Sequence, residues 1–267
     1  MDTVGNIYQT LCKIAPLELK MDFDNVGFLI GCSENKVSKV LVSLDITNDV
    51  ITEALDCNAE LIVSHHPLFF SLKSVNDTDI IGAKIIRLIS GGISAICMHT
   101  NLDAAQGGTN DALAAAAGIS NESGTIKLLC EDGQLPDGTS FSYGRVGFLE
   151  KPYPLQEYLK FLKKNLRTSG IRYYDSGKDV YHLAVVSGSG GSELQHVFRN
   201  GCDTFVTSDI KYDVFLEAKE IGINLIDGDH FCTENLVTDT LVERLGKAFP
   251  EVKVSASQVH SQTIKFY

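Results

Sequence analysis

The chain has 267 residues, of which 44 % are hydrophobic and 21 % charged, and 23 basic against 34 acidic side chains leave a formal net charge of −11. That length suits one large domain or two small ones, with the composition of an ordinary soluble globular protein. The acidic balance argues against a role in coating DNA or RNA, which needs a basic stripe, but not against a nucleotide substrate, since bound cations supply local positive charge.

Val4, Ile7, Tyr8 and Leu11 fall on one helical face, so the chain opens with an amphipathic helix that Pro16 ends. The segment from Asp22 to Gly27 is rich in turn formers. A strand is predicted from Val37 to Leu44, ending at Asp45, and then a helix with Thr47 as its cap and Val50, Ile51, Ala54 and Leu55 on one face. The apolar run Leu61-Ile-Val63 reads as a buried strand that stops at Ser64 and delivers His65 and His66 at its end. Pro67 keeps His66 out of any helix. Ile81, Ile85, Leu88 and Ile89 mark a helix closed by Gly91 and Gly92, and Ile93 to Met98 is a strand ending in His99-Thr-Asn-Leu-Asp103. An alanine-rich helix over Asn110 to Ala117 follows. Strand and helix thus alternate, which implies a largely parallel sheet covered by helices, with polar residues gathered at successive strand ends.

From about Asn121 to Ser140 the pattern lapses into a boundary or an exposed hairpin. It resumes with a strand over Phe141 to Leu149, a helix opened by Pro154, and a strand over Tyr181 to Val186 that runs into Ser187-Gly-Ser-Gly-Gly-Ser192. This glycine run lacks the third glycine of a dinucleotide fingerprint and has no Walker lysine, so a tight turn is the better reading than a phosphate cradle. A helix, a strand over Thr204 to Val206, a helix over Val214 to Ile221 and a strand over Ile223 to Ile226 come next. That last strand leads to Asp227, Asp229 and His230, and a further helix carries Leu236, Val237, Thr240 and Leu241. The expected division is one α/β domain over residues 1–124 and a second over 125–267, with the helix after Glu234 packing back on the first.

Seven cysteines stand singly at 12, 32, 57, 97, 130, 202 and 232, with no CxxC pair. They are expected as reduced, mostly buried thiols. No signal peptide and no apolar run near the ~20 residues of a membrane span is present, so a soluble, cytoplasmic protein is expected.

Adjacent imidazoles at a strand end are metal donors in waiting, and His230 and Glu234 lie four apart, on one face if a helix starts near Gly228 or Asp229. His65, His66, Asp103, His230 and Glu234 exceed the three protein ligands of one catalytic zinc and fit a two-metal site. Nitrogen and oxygen donors without a thiolate suit zinc, iron, manganese or nickel. His99, Asp45 and Asp209 are placed to orient the ligand imidazoles from behind. Each part has a plainer reading, as a hydrogen-bonded loop histidine or a solvated helix start.

The stretches SHHPLFF at 64–70, HTNLDAAQGGTND at 99–111 and GDHFCTE at 228–234 carry a family likeness, supported by DNVG at 24–27, SLDIT at 43–47, SGSGG at 187–191 and TSDIKY at 207–212. In this order, over nearly the whole chain, they resemble the GTP cyclohydrolase 1 type 2 family, also called NIF-three-like proteins. The resemblance implies a two-domain α/β fold with sheets flanked by helices, a ring-shaped homohexamer, and a pair of divalent metals at strand ends near the domain junction. The matching ligand positions are the same five. It also implies the short form, since there is no room for an inserted domain between Ile119 and Phe141. The implied activity is hydrolytic opening of the purine ring of GTP with release of formate, by metal-activated hydroxide. The alternatives are a metal-binding scaffold or regulatory interaction protein without turnover, and a nucleotide phosphodiesterase or phosphatase. Three positions depart from the family pattern: Phe23 for a frequent tryptophan, Ser208 for a usual glycine, and Asp213 for a common histidine.

Overall fold

The computed structural model describes residues 2–119 and 126–267. The chain divides into two compact units, one running to Gln106 and including Val237–Ser261, the other made of Gly107–Leu236 with Gln262–Tyr267. The boundary expected between residues 124 and 125 falls outside the described residues. The division at Gly107 follows from packing: the helix Thr109–Ala116 buries Leu113 and Ala114 in the core of the second unit.

The first unit is built on a five-stranded sheet in the order Lys253–Ala256, Lys39–Ser43, Leu61–Ser64, Ser94–Cys97, Gly27–Ile30. The first four strands are parallel and the last is antiparallel. Alternate residues point to opposite faces, and in the two central strands both sets are buried, as parallel strands between layers require. Leu41, Ile62 and Ala95 meet Val50, Ile51 and Ala54 of the helix Asn48–Asp56 and Ile85 and Leu88 of the helix Ile80–Ser90. Thr47 Oγ1 caps the former helix by accepting the Val50 N–H at 3.2 Å. Ser43, Ser64 and Cys97 lie in register, so three parallel strands end level and release the chain at one edge. The short strands Gly27–Ile30 and Lys253–Ala256 were not expected from the sequence. They are edge strands with partly exposed residues and carry no continuous apolar run.

The second unit has a six-stranded sheet in the order Arg172–Tyr174, Asn224–Asp227, Thr204–Thr207, Val180–Val185, Arg145–Tyr153, Lys127–Leu128. The Asn224–Asp227, Thr204–Thr207 and Val180–Val185 strands are parallel to one another, and the outer three pair antiparallel. Period-two alternation splits the core. Leu183, Val185, Val206 and Ile226 pack with the helices Thr109–Ala116 and Leu155–Leu166. Ala184, Phe205 and Leu225 pack with Leu194 and Val197 of the helix Leu194–Arg199 and with Ala218 of the helix Tyr212–Ile221. The three parallel strands again end within one residue of level, with Val185 opposite Val206 and Thr207 opposite Asp227. Among the described residues, no helix is long and apolar enough to cross a membrane.

Candidate metal centre

In the first unit the level strand ends bring three imidazoles together. His65 and His66 follow the Leu61–Ser64 strand, and His99 follows Ser94–Cys97. Their ring centroids lie 5.1 to 5.4 Å apart. One donor nitrogen from each falls within 4.8 Å of the others. Asp103, in the short helix Thr100–Ala104, holds its Oδ1 at 3.5 Å from His65 Nε2.

Each of these rings is tethered through Nδ1. His65 Nδ1 lies 2.9 Å from the Met98 carbonyl oxygen, His66 Nδ1 lies 2.8 Å from Asp45 Oδ1, and His99 Nδ1 lies 2.9 Å from Asp24 Oδ1. An oxygen acceptor at Nδ1 fixes the proton there and turns the Nε2 lone pair outward, the arrangement found behind metal-ligating histidines. The tethers are themselves held. Asp45 Oδ2 meets His260 Nε2 at 2.9 Å, and Asp24 Oδ2 accepts the Thr100 N–H at 3.0 Å and the Thr100 hydroxyl. Burial opposes the charge on Asp24, but the hydrogen bonds from His99 and Thr100 outweigh it and bring its carboxyl down to about 2. Burial likewise opposes charge on Asp45, yet His260 and His66 hold it well below the usual carboxylate range.

In the second unit the level strand ends deliver Gly188, Asp209 and His230. The helix His230–Glu234 starts from Asp229, whose Oδ1 accepts the Cys232 N–H at 3.1 Å. With that start, His230 and Glu234 share one face, and His230 Nε2 lies 3.0 Å from Glu234 Oε2. His230 Nδ1 is tethered to Asp209 Oδ2 at 2.7 Å. Burial disfavours the imidazolium, but Glu234 and then Asp209 overcome this and raise His230 to about 9 in the metal-free protein. Asp209 and Asp229 both sit at positive φ, 52° and 77°, a strained backbone that aspartate tolerates better than most residues. Gly188 is at φ +61°, and a Cβ there would collide with the Glu234 carboxylate. The glycine run is therefore a tight turn that makes room for Glu234. Ser208 donates its hydroxyl to the Gly188 carbonyl, and its Oγ lies 3.4 Å from Thr233 Oγ1, so the departure from the usual glycine adds a buried hydrogen bond to this turn.

The sequence profile of the family described as Duf34/NIF3 (NGG1p interacting factor 3) matches residues 2–263. The chain belongs to this family. A Duf34/NIF3 chain of this kind is 36 % identical over 233 residues to a Clostridium perfringens protein named GTP cyclohydrolase 1 type 2 homolog, covering 86 % of each. It is 30 % identical over 257 residues to a Campylobacter jejuni protein of the same name, covering 96 % of this chain and 97 % of that one. Among solved structures, a Bacillus cereus protein related to NIF3 superposes with a TM-score of 0.92 at 22 % identity, covering 100 % of this chain and 99 % of that one, a likeness of fold.

Within the first unit, then, the Duf34/NIF3 chain brings His65, His66 and Asp103 together, and within the second His230 and Glu234. His99, read from the sequence as an orienting residue, stands in the imidazole cluster and is itself oriented by Asp24. Asp24 and His260 were not singled out as site residues. The DNVG block held the only sequence signal for Asp24, and His260 had none. The cysteines are less buried than expected: Cys97, Cys202 and Cys232 are buried, Cys12, Cys57 and Cys130 half-buried, and Cys32 exposed. Cys232 packs in the second unit's core beside Ile226 and Leu166.

Proposed function

We propose that this chain is a divalent-metal-dependent hydrolase acting on a GTP-like purine nucleotide, as the name carried by its relatives suggests. The observation that carries the metal reading is a common tethering: His65, His66 and His230 each hold Nδ1 against an oxygen, which makes Nε2 the nitrogen able to ligate, and His99 beside His65 and His66 is held in the same way. His65, His66, Asp103, His230 and Glu234 would hold two ions, with zinc, iron, manganese or nickel as the fitting metals. Such ions supply acidified water, with a pKa near ~7, and polarise the substrate.

The chain's own residues do the rest. Met98, Asp45, Asp24 and Asp209 fix the imidazole tautomers before any ligand arrives. Asp103 and Glu234 bring negative charge to offset that of the cations. Phe23, 65 % exposed, and Phe70 form an aromatic pair at 6.2 Å, and Phe70 lies 6.2 Å from His99, a face on which a purine base can stack.

The test begins with elemental analysis of protein purified without a histidine tag, beside the variants His65→Ala and Glu234→Ala. Metal content should fall in both, and unchanged content in both would remove the site. The metal-loaded protein is then offered GTP, with formate and purine absorbance as readouts, and bis-p-nitrophenyl phosphate in parallel. Formate release supports the ring-opening reading, phosphate-ester cleavage alone replaces it with a phosphodiesterase, and neither leaves a metal-binding scaffold. From the family resemblance we also infer a homohexamer, so light scattering should give six times the 29.1 kDa chain mass, and a monomer would overturn that.

A further inference from the structure

A separate group of donor side chains lies in the second unit and shares no residue with the set above. Donor atoms of Cys130, Glu193 and His196 fall within 4.8 Å of one another. His196 Nδ1 is 2.9 Å from Glu193 Oε2, and Cys130 Sγ is 3.4 Å from both carboxylate oxygens of Asp132. Bonds of 2.0 to 2.3 Å to one ion put its ligand atoms roughly 3 to 4 Å apart on a tetrahedron, so Cys130, Glu193 and His196 already approach a coordination shell, and the exposed Asp132 adjoins it through the Cys130 sulfur.

The local chain explains the grouping. Cys130 and Asp132 are two apart where the chain bends after the Lys127–Leu128 strand, and that bend turns the thiol onto the carboxylate. The Cys130 N–H donates to Ser142 Oγ at 3.4 Å, the Asp132 N–H to the Phe141 carbonyl at 3.0 Å, and the Tyr143 N–H to Asp132 Oδ2 at 2.9 Å. The segment is thereby clamped to the hairpin formed by Gly133–Gln134 and Ser140–Phe141. Opposite it, the turn Gly191–Glu193 enters the helix Leu194–Arg199 and puts Glu193 and His196 three apart on one helical face. Asn200 Nδ2 donates to the Leu129 carbonyl at 2.8 Å, fastening the end of that helix beside Cys130. Cys130, Glu193 and His196 are all half-buried, partly shielded from water yet reachable by an ion.

We propose that Cys130, Asp132, Glu193 and His196 form a binding site for one thiophilic divalent cation of the zinc type. One sulfur, one imidazole nitrogen and two carboxylate oxygens make a four-donor set that suits zinc and its probe ions cobalt and cadmium, and disfavours magnesium or calcium. The sulfur also separates this site from the five-ligand set, which has none. An ion here would tie the hairpin segment to the helix, a structural clip at the sheet edge that begins with Lys127–Leu128.

The full-length protein, stripped with chelator, is titrated with Co²⁺ alone and followed by thiolate-to-metal charge-transfer absorption. The expected result is a saturable band that persists in His65→Ala, vanishes in Cys130→Ser, and needs more Co²⁺ to reach its midpoint in His196→Gln. No band in the wild type, or a band that survives Cys130→Ser, overturns the proposal. Should Cys130→Ser fail to fold, the wild type still decides. Zn²⁺ should protect Cys130 from iodoacetamide, read by peptide mass mapping, and labelling that Zn²⁺ leaves unchanged overturns the site. The thiolate band does not depend on the proposed catalytic metals, so failure of one reading leaves the other standing.

Discussion

In the first unit three imidazoles sit at the ends of two buried strands, and their tethers come from 21 to 75 positions away along the chain. Asp24, which holds His99, is fully buried in its side chain. In the second unit His230 and Glu234 come from one turn of one short helix, His230 is 33 % exposed, and its tether Asp209 is 52 % exposed. Both units present Nε2 by the same device, yet they differ in what the device is made of. A tether inside the fold couples donor geometry to folding stability, whereas a tether at the surface controls orientation with little stake in stability.

The largest expected effect tests whether the second unit's donor pair, its Glu234 buried, rests on rigid backbone. Gly188→Ala places a methyl group against the Glu234 carboxylate at a positive φ, so we expect a stability loss of about 1–3 kcal/mol in urea unfolding, together with loss of retained metal. Unchanged stability and metal content would show that Glu234 can move aside.

Next comes the direct contrast of tethers. Asp24→Asn should cost about 2 kcal/mol at neutral pH, from a carboxyl held near 2 against an unfolded value of about 3.9, while Asp209→Asn should stay within about 0.5 kcal/mol. Because the folded pKa of Asp24 is lowered, its contribution is complete above about pH 4 and is lost as the pH falls towards 2. The gap between wild type and Asp24→Asn should close over that window. Equal costs for the two variants would break the comparison.

A half-exposed tether inside the first unit sharpens it further. Asp45→Ala frees the His66 ring and should weaken metal binding by about tenfold or more, measured by competition with a chelating dye, with a smaller change in stability than Asp24→Asn. The smallest effect concerns Ser208. Ser208→Gly removes one buried hydrogen bond to Gly188 and should cost about 1 kcal/mol, while metal content stays as it was. A neutral result in urea would mean that the family's usual glycine serves equally well here.

The alternation of strand and helix was legible because the core strands are short runs of aliphatic residues and the helices carry one apolar stripe. The strands Gly27–Ile30, Arg172–Tyr174 and Lys253–Ala256 were not, since all three lie at or next to a sheet edge with half-exposed residues and no distinctive pattern. Of the candidate site, the proposed donors were visible as polar residues breaking apolar runs, and the one-face spacing of His230 and Glu234 followed from helical period alone. The place of His99 beside His65 and His66 was not legible, because it depends on two strand ends standing level, which pairing register decides.

Residue order alone pointed to the candidate metal donors, to where the buried strands run, and to an α/β fold, because each of these is written in spacing over a few neighbouring positions. The partners that aim those donors, Asp24 for His99 and His260 behind Asp45, were settled only when segments far apart in the chain met, 75 and 215 positions from one another. Hydrogen bonds between such groups depend on strand order and level strand ends, which no local window of sequence contains.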